Sequence, residues 1–248
     1  MSTDLAIDEG FYLDFPLQVK ALQTFETHME IESLSSQLPF KEEIKQKLIG
    51  RLELHSKEGS SRPSELEFVL EQVSLDLKQG EKSFSFNSQE MEESVESLPI
   101  RQVLNKPFRF AFDQNFRFES KGQESFLLHQ DLGRQNFSEL FSYFFILAGQ
   151  DLKSGKRLEI NKHLHIDINR ADQEQIQASF GGSLAKENLS NGSLEGIVSG
   201  TGSWKKNNAL FHKIKVHKTL SGTLSVQGQS LPVKVKMVQW IQSHPILF

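Results

Sequence analysis

The stretch LFHKIKVHKTLSGTLSVQGQSLPVKVKMVQWI, residues 210–241, alternates apolar and polar side chains over most of its length. Such alternation is typical of a β-strand with one buried face, because successive side chains point to opposite sides of the strand. The polar residues 227–230 interrupt the pattern and predict a tight turn, so the two segments are expected to pair as antiparallel neighbours. This stretch therefore predicts a mainly β fold.

The same alternation extends towards the N-terminus and predicts a long series of strands joined by short polar turns. Consecutive strands with short connections form an antiparallel meander. A change of phase near residues 71–72 predicts a β-bulge. The expected organisation is a flexible lead-in at 1–16, one curved antiparallel β domain at 17–241 with possible halves 17–150 and 156–241, and a tail at 242–248.

One helix is predicted where the apolar period lengthens from two residues to between three and four. Across residues 131–148 the apolar side chains recur at helical spacing, and Gly149 is suited to end the helix. A shorter helical turn is expected at 98–107. We therefore predict a mainly β (α+β) fold, a long curved antiparallel sheet or half-barrel with one Phe-rich helix packed in its concave face.

Phenylalanine is abundant, at 20 of 248 residues, and much of it lies in the predicted helix and in a predicted hairpin at 108–118. Two interpretations are open. The rings either fill a core or surround an apolar cavity between helix and sheet that holds an acyl chain. The candidate lining residues are Phe108, Phe110, Phe112, Phe137, Phe141, Phe144 and Trp204.

Three glycines, Gly196, Gly200 and Gly202, share one strand face with Val198 and Trp204. Glycine on the inner face of a strand permits strong curvature or the close approach of a helix. We expect the Phe-rich helix to lie across them. Phosphate binding by the Gly-Thr-Gly sequence is not expected, because a phosphate loop opens a helix and this one lies in a strand.

Three histidines are candidates for chemistry. His163 and His165 lie two residues apart on a predicted strand, as paired metal ligands do, and exposed histidines on a polar face are the alternative. His212 is in phase with apolar neighbours, which predicts a histidine partly buried and hydrogen-bonded in the core. No spacing of serine, carboxylate or glycine residues predicts a catalytic site, so we expect neither an enzyme nor a cofactor.

Composition narrows the classes of partner and compartment. The formal net charge is −4 and no basic cluster predicts nucleic-acid binding. No apolar run is long enough for a transmembrane segment, and the absence of cysteine excludes disulfides and thiolate chemistry. The acidic first residues lack the features of a signal peptide. We expect the bacterial periplasm or cell envelope, for a mature form with its signal removed, with the cytoplasm as the alternative.

A series of structural motifs runs through residues 15–240. In order, they are a turn at Asp113-Gln114-Asn115 leading to Lys121-Gly122, a helix with an apolar end at 141–147, a loop at 149–155, Gly200-Thr201-Gly202, and a strand at 210–224. This order resembles a family of bacterial envelope lipoproteins and secreted proteins of unknown function. The resemblance implies a curved β half-barrel like that of lipoprotein carriers, an envelope location and lipid handling, and it supplies no catalytic residues. The chain departs from the pattern in lacking a lipidation cysteine and in having Arg157-Leu158 where an aromatic residue is usual.

Three hypotheses about function follow. The first is a non-catalytic envelope protein that binds a lipid or other apolar ligand. The second is a protein-interaction or scaffold module with a filled core, which recruits a partner through its strand edges. The third is a metal-binding protein or enzyme that uses His163 and His165.

Overall fold

The chain is seen in a computed structural model that describes residues 12–246 apart from 59, 61, 91–101, 114–124, 130–132, 190–191 and 227. The side chains of 125–129, 133–139, 144, 187–189 and 226 lie outside this description. The described elements are β1 (Lys20–Ser33), β2 (Lys41–His55), β3 (Glu65–Gln79), β4 (Lys82–Asn87), β5 (Pro107–Ala111), β6 (Ser125–His129), β7 (Gly133–Asn136), α1 (Phe137–Phe145), β8 (Arg157–Asn161), β9 (Leu164–Ala171), β10 (Gln175–Leu189), β11 (Gly192–Lys205), β12 (Asn208–Val226) and β13 (Gln229–Pro245).

Eleven of these strands form one antiparallel sheet. Its order is β4-β3-β2-β1-β13-β12-β11-β10-β9-β8, and β5 also pairs with β3. Most neighbours in the sheet are consecutive in sequence, which confirms the predicted antiparallel meander. β1 pairs with β13 from Ala21, opposite Pro245, to Ser33, opposite Val233. The segments 17–150 and 156–241, considered above as possible halves, therefore contribute strands to a single sheet.

One face of this sheet is buried, because apolar side chains occupy every second position of its strands and all point to that face. In β12 every second residue from His212 to Lys218 is buried, and the residues between them are exposed. The exposed face carries ion pairs between neighbouring strands, such as Lys47 Nζ to Glu26 Oε1 at 2.7 Å. Exposed pairs of this kind contribute little to stability, so burial of the apolar face is what holds the sheet together.

The prediction of a helix over residues 131–148 is wrong in extent. Gly133–Asn136 forms β7, whose backbone groups pair with those of β6, and the helix covers nine residues, Phe137–Phe145. At the other end, the Ala148 N–H donates to the Phe145 carbonyl at 2.9 Å and Gly149 has a φ of 70°, so the chain turns away. The protein is mainly β with little helix. No described helix combines the length and the hydropathy that crossing a membrane requires.

The predicted hairpin at 108–118 is described only in its first strand. That strand, β5, pairs with β3, and the Phe112 N–H continues the contact by donating to the Ser64 carbonyl at 3.0 Å. The expected return strand lies outside the described residues. Of the helical turn expected at 98–107, residues 102–105 form a turn that directly precedes β5.

The bulge predicted near residues 71–72 is confirmed. Ile49 of β2 lies opposite Gln72 of β3, but the next residue, Gly50, lies opposite Leu70. Glu71 is therefore the extra residue, and the strand resumes with the opposite phase. This shift keeps the apolar residues on both sides of the bulge on the buried face.

Residues near both limits of the described chain pack against the sheet. Within the expected flexible lead-in, Leu13 and Phe15 are buried, and the Ala209 N–H donates to the Asp14 carbonyl at 2.8 Å. The expected tail begins inside β13, which runs to Pro245 because its last residues pair with β1. Apolar burial holds residues 13–15 in place, and ladder hydrogen bonds hold the last residues of β13.

Aromatic rings, not the helix, cover two of the inner-face glycines. A Cβ atom on Gly200 would lie 2.7 Å from Cε2 of Phe180, its cross-strand neighbour, and one on Gly202 would lie 2.6 Å from Cζ3 of Trp204. At Gly200 and Gly202 the closest side chains are therefore these rings and not the helix, contrary to the expectation. Glycine in a strand leaves room for a neighbouring ring to lie flat on the backbone.

Replacing Gly200 by alanine is expected to lower the free energy of unfolding by about 1–3 kcal/mol, because the new methyl group would overlap the Phe180 ring and lie 2.5 Å from the Lys215 carbonyl oxygen. Urea denaturation followed by circular dichroism measures this change. Gly181→Ala is the matched control, since its Cβ would meet the nearest atom, in His165, at an ordinary 3.6 Å. Equal stability of the two variants would contradict the close packing around Gly200.

Candidate functional site

An open groove of about 1260 Å³ lies where the end of α1 meets residues 12–15 and the turn between β8 and β9. Its floor includes part of the inner face of β10 and β11. The apolar lining includes Leu13, Phe15, Tyr143, Ile146, Leu164 and Leu184, and the polar lining includes Asp14, Arg62, Glu159, Asn161, His163 and Ser183. The groove is therefore amphipathic.

Small residues bring the strands of the floor close together. Leu184 of β10 lies opposite Gly196 of β11, where a Cβ atom would lie 2.9 Å from Leu220 Cα of β12. A Cβ atom on Gly182 would lie 3.0 Å from Leu164 Cα, so glycine at this position lets the β8–β9 turn approach β10. This approach places Leu164 and Leu184 on the same side of the groove.

The polar part of the floor is held by hydrogen bonds around the β8–β9 turn. The backbone N–H groups of His163 and Leu164 both donate to Asn161 Oδ1, at 2.8 and 3.0 Å. His163 Nδ1 lies 3.0 Å from Ser183 Oγ on β10. The pair is exposed, so it can exchange hydrogen bonds with water or with a polar group of a ligand.

Five of the seven predicted cavity-lining residues have described side chains, and none of the five is in the lining of the groove. Phe110, Phe112, Phe141 and Trp204 are buried in the core, and Phe108 packs against it. The Phe141 ring centroid lies 5.0 Å from that of Phe110, so these rings contact one another. The side chains of Phe137 and Phe144, the other two candidates, lie outside the described residues.

The residues that do line the groove come from six separate parts of the chain. Leu164 and Leu184 carry a signal in the sequence, since each is in phase with the buried face of its strand. Their position at the open end of that face depends on where α1 ends and where residues 12–15 pack. Local periodicity does not encode either of these features.

The two histidines considered as metal ligands have different surroundings. His163 faces Ser183, whereas His165 Nε2 lies 3.9 Å from Asp167 Oδ2. Within the part of the chain that the structure describes, no group of three or more histidine, aspartate or glutamate side chains could hold a metal ion. The pair alone does not supply a coordination shell.

His212 is buried in the core, as its phase predicts, and its Nδ1 lies 3.2 Å from the Ala209 carbonyl oxygen. Burial lowers its pKa from 6.5 to about 4, because the charged imidazolium would lose its hydration. The hydrogen bonds to the Ala209 and Leu210 carbonyls act in the opposite direction on the pKa, and burial prevails. His212 is therefore a neutral structural residue at pH 7.

Comparison with solved structures shows a shared fold, whereas comparison with known sequences identifies no family. No family model matches the sequence, and no curated protein matches it. A structure of lipovitellin, described by its lipid–protein interactions, aligns with 94% of this chain at 8% identity and a TM-score of 0.52. The aligned part is 26% of the lipovitellin chain, so this chain spans about a quarter of that protein. The likeness shows a shared sheet architecture.

Two bacterial structures align over most of the chain with lower scores. A putative AttH from Nitrosomonas europaea aligns with 100% of this chain and 57% of its own at 9% identity, with a TM-score of 0.24. An outer membrane channel from Pseudomonas putida F1 aligns with 96% of this chain and 100% of its own at 7% identity, with a TM-score of 0.27. These scores are too low to show a common fold.

Proposed function

We propose that this protein binds a lipid or another apolar ligand in the groove and catalyses no reaction. The observation that carries the proposal is an open, amphipathic groove of about 1260 Å³. Ligand sites usually occupy roughly 300–1000 Å³, so the volume is sufficient for an acyl chain. Further support comes from the sheet architecture shared with lipovitellin, whose structure is described by its lipid–protein interactions.

The groove offers apolar surface on two sides of a bound chain. Leu164, Leu184 and Val198 line it from the sheet, and Phe15 and Ile146 line it from the N-terminal segment and the end of α1. Each buried methylene contributes about 0.8 kcal/mol. A contact of about ten methylenes would supply roughly 8 kcal/mol before the entropy of ordering the chain is subtracted, which is enough for measurable binding.

The site is also proposed to lie in a half-barrel. Phe141 of α1 packs on Phe25 of β1 and Phe68 of β3, with ring centroids 5.6 and 5.3 Å apart. Tyr143 stacks on Phe180 of β10 at 5.9 Å. The helix thus contacts strands near both edges of the sheet, β3 towards one edge and β10 towards the other. A sheet that curves around the helix would make these contacts.

Leu184→Glu is expected to weaken the binding of a fluorescent fatty acid by about tenfold or more, because it places a carboxylate against the apolar chain. Fluorescence titration of the purified protein measures the dissociation constant. Ile197→Glu is the matched control: it makes the same substitution on the next strand, on the outer face, at a side chain that is 62% exposed. Its affinity is expected to equal that of the unaltered protein.

Two results would contradict this proposal. One is the failure of the unaltered protein to take up any fatty-acid probe, together with a native mass spectrum free of lipid after purification from its own host. The other is an equal loss of affinity in both variants, which would place binding outside the groove.

We propose the bacterial periplasm or cell envelope as the compartment, on the basis of the resemblance to envelope proteins. Fractionation of host cells with an antibody against the protein tests this location, and recovery in the cytoplasmic fraction would contradict it. Recruitment of a protein partner through the strand edges stays a prediction from the sequence.

A further inference from the structure

Charge is distributed unevenly along the chain. Residues 196–248 contain seven lysines and no aspartate or glutamate, so all 32 acidic residues precede this segment. The formal net charge of −4 therefore hides a basic segment that forms most of β11 and all of β12 and β13. Charge asymmetry of this kind favours an interaction with an anionic membrane or a nucleic acid. The lysines are mostly separated by uncharged residues, so they become concentrated only when the strands lie side by side.

The sheet places four of these lysines on its exposed face. β12 and β13 are neighbours, and in each strand the residue between two of the lysines points to the buried face. Trp240 lies directly opposite Lys215, whose Nζ is 5.6 Å from the centre of its ring. The basic outer face is defined as the exposed residues Lys213 and Lys215 of β12 with Lys234, Lys236 and Trp240 of β13.

The four lysines of the basic outer face form no ion pair within the described part of the chain. By contrast, every lysine and arginine of β1 and β2 forms an ion pair with a glutamate. The lysines of β13 lie opposite Glu30 and Glu32 of β1 without pairing with either. Next to the lysines of β12, β11 presents the uncharged Thr201 and Ser203. Positive charge that is not compensated on neighbouring strands produces a local potential that attracts an anionic partner.

The exposed tryptophan distinguishes between the two kinds of anionic partner. Trp240 is 38% exposed, whereas Trp204, the other tryptophan, is buried. Tryptophan is enriched at the interface between a bilayer and water, and lysine can reach the headgroups while its apolar stem lies in less polar surroundings. Arginine, which most often reads DNA bases through paired hydrogen bonds, is absent from the sequence of residues 196–248. Lysines beside an exposed tryptophan therefore favour a bilayer as the partner.

We propose that the basic outer face binds the surface of an anionic phospholipid bilayer. The lysine ammonium groups contact the headgroup phosphates, and the Trp240 indole lies at the level of the headgroups. Each lysine near an anionic surface contributes to binding, and salt weakens the contribution by screening. The groove lies nearby, since Val198 of β11 lines it and β11 is the neighbour of β12. Binding to the bilayer does not require a ligand in the groove.

Removing two charges tests the basic outer face. The probes are vesicles made of equal parts of phosphatidylcholine and phosphatidylglycerol, and vesicles of phosphatidylcholine alone. The unaltered protein is expected to co-sediment with the anionic vesicles only. Lys213→Gln combined with Lys236→Gln is expected to weaken this partition about twenty-fivefold, at about fivefold for each lysine. The matched control combines Lys78→Gln with Lys82→Gln, two exposed lysines of β3 and β4, and is expected to keep the affinity.

Several results would overturn the proposal. They are the failure of the unaltered protein to bind anionic vesicles at low salt, equal binding to both kinds of vesicle, and equal affinities of the two double variants. Binding that stays constant as sodium chloride is added would also overturn it, because contacts with headgroup charges are screened by salt. Circular dichroism of each variant establishes that it is folded, which exposed positions favour.

Tryptophan fluorescence tests which face meets the bilayer. The chain has two tryptophans, and only Trp240 is exposed to solvent, so transfer of its ring into the headgroup layer is expected to shift the emission to shorter wavelength. Trp240→Phe leaves Trp204 as the sole emitter and is expected to abolish the shift. A shift of the same size in Trp240→Phe, or no shift in an unaltered protein that co-sediments with anionic vesicles, would overturn the placement of Trp240.

A nucleic acid is the other partner that the charge would attract, and a direct comparison separates the two. A fluorescently labelled DNA duplex is titrated with the unaltered protein at the ionic strength of the vesicle experiment. The expected result is binding to the anionic vesicles without binding to the duplex. Binding to the duplex alone, lost when Lys213 and Lys236 are both replaced by glutamine, would assign the face to nucleic acid and overturn the proposal.

Discussion

Replacing Phe141 by alanine is expected to lower the free energy of unfolding by about 3–5 kcal/mol. Phe141 is fully buried, and its ring centroid lies within 5.6 Å of those of Phe25, Phe68 and Phe110. These three rings belong to β1, β3 and β5, so one side chain joins the helix to three strands. Truncation removes all these contacts and leaves a cavity that the surrounding strands cannot close.

Urea unfolding monitored by circular dichroism measures the loss. Phe84→Ala, in the edge strand β4, is the control, since Phe84 is only half-buried and is expected to contribute much less. A change in Phe141→Ala no larger than that of Phe84→Ala would show that the helix does not anchor the core. The fatty-acid affinity of the variant, measured where it is folded, would show whether the groove depends on the position of α1.

Acidification is expected to destabilise the protein between pH 6.5 and 4 through His212. The folded protein holds this imidazole neutral, with its pKa lowered to about 4, whereas in the unfolded chain it takes up a proton as the pH falls below 6.5. The unfolded state therefore binds more protons in this range, and its free energy falls relative to that of the native state. The full difference corresponds to a loss on the order of 3 kcal/mol, complete only near pH 4.

Unfolding free energies measured at several values between pH 7.5 and 4.5 test this expectation. His212→Leu is expected to remove most of the slope, even if it alters the stability at pH 7.5. His217→Gln changes an exposed histidine on the same strand and should keep the slope. The lowered pKa values of Asp167 and Asp172 act at more acidic pH, and the lowered pKa of Glu43 adds to the slope only at the acidic end of this interval, so the His212→Leu comparison identifies the contribution of the histidine. A slope that persists in His212→Leu would assign the effect to other groups.

Local patterns in the sequence predict the strands, their antiparallel order, the bulge at Glu71 and the burial of His212. Each of these depends on residues a few positions apart, where a period of two is directly visible. The extent of the helix is not predictable in this way, because Gly133–Asn136 pairs with a strand that the sequence does not reveal. Helix propensity and strand pairing compete there, and pairing prevails.

The groove is harder to predict than the sheet for a different reason. Phe110 and Phe141 are aromatic residues of the kind that line apolar cavities. Only the contact between their rings shows that they fill a core. The groove depends on Phe15, Ile146 and Leu184, which are far apart in sequence.

The pairing of β1 with β13 affects the order in which the sheet can form. The strands that precede and follow this β1–β13 junction in the sheet are mostly joined by short turns. They can therefore pair as soon as they are synthesised. The β1–β13 junction joins segments from nearly opposite ends of the described chain, so its formation has the largest loop-closure entropy cost. It forms only after β13 has left the ribosome. Until then, the edges of β1 and β12 have no partner, and nascent chains at this stage are the ones most exposed to aggregation.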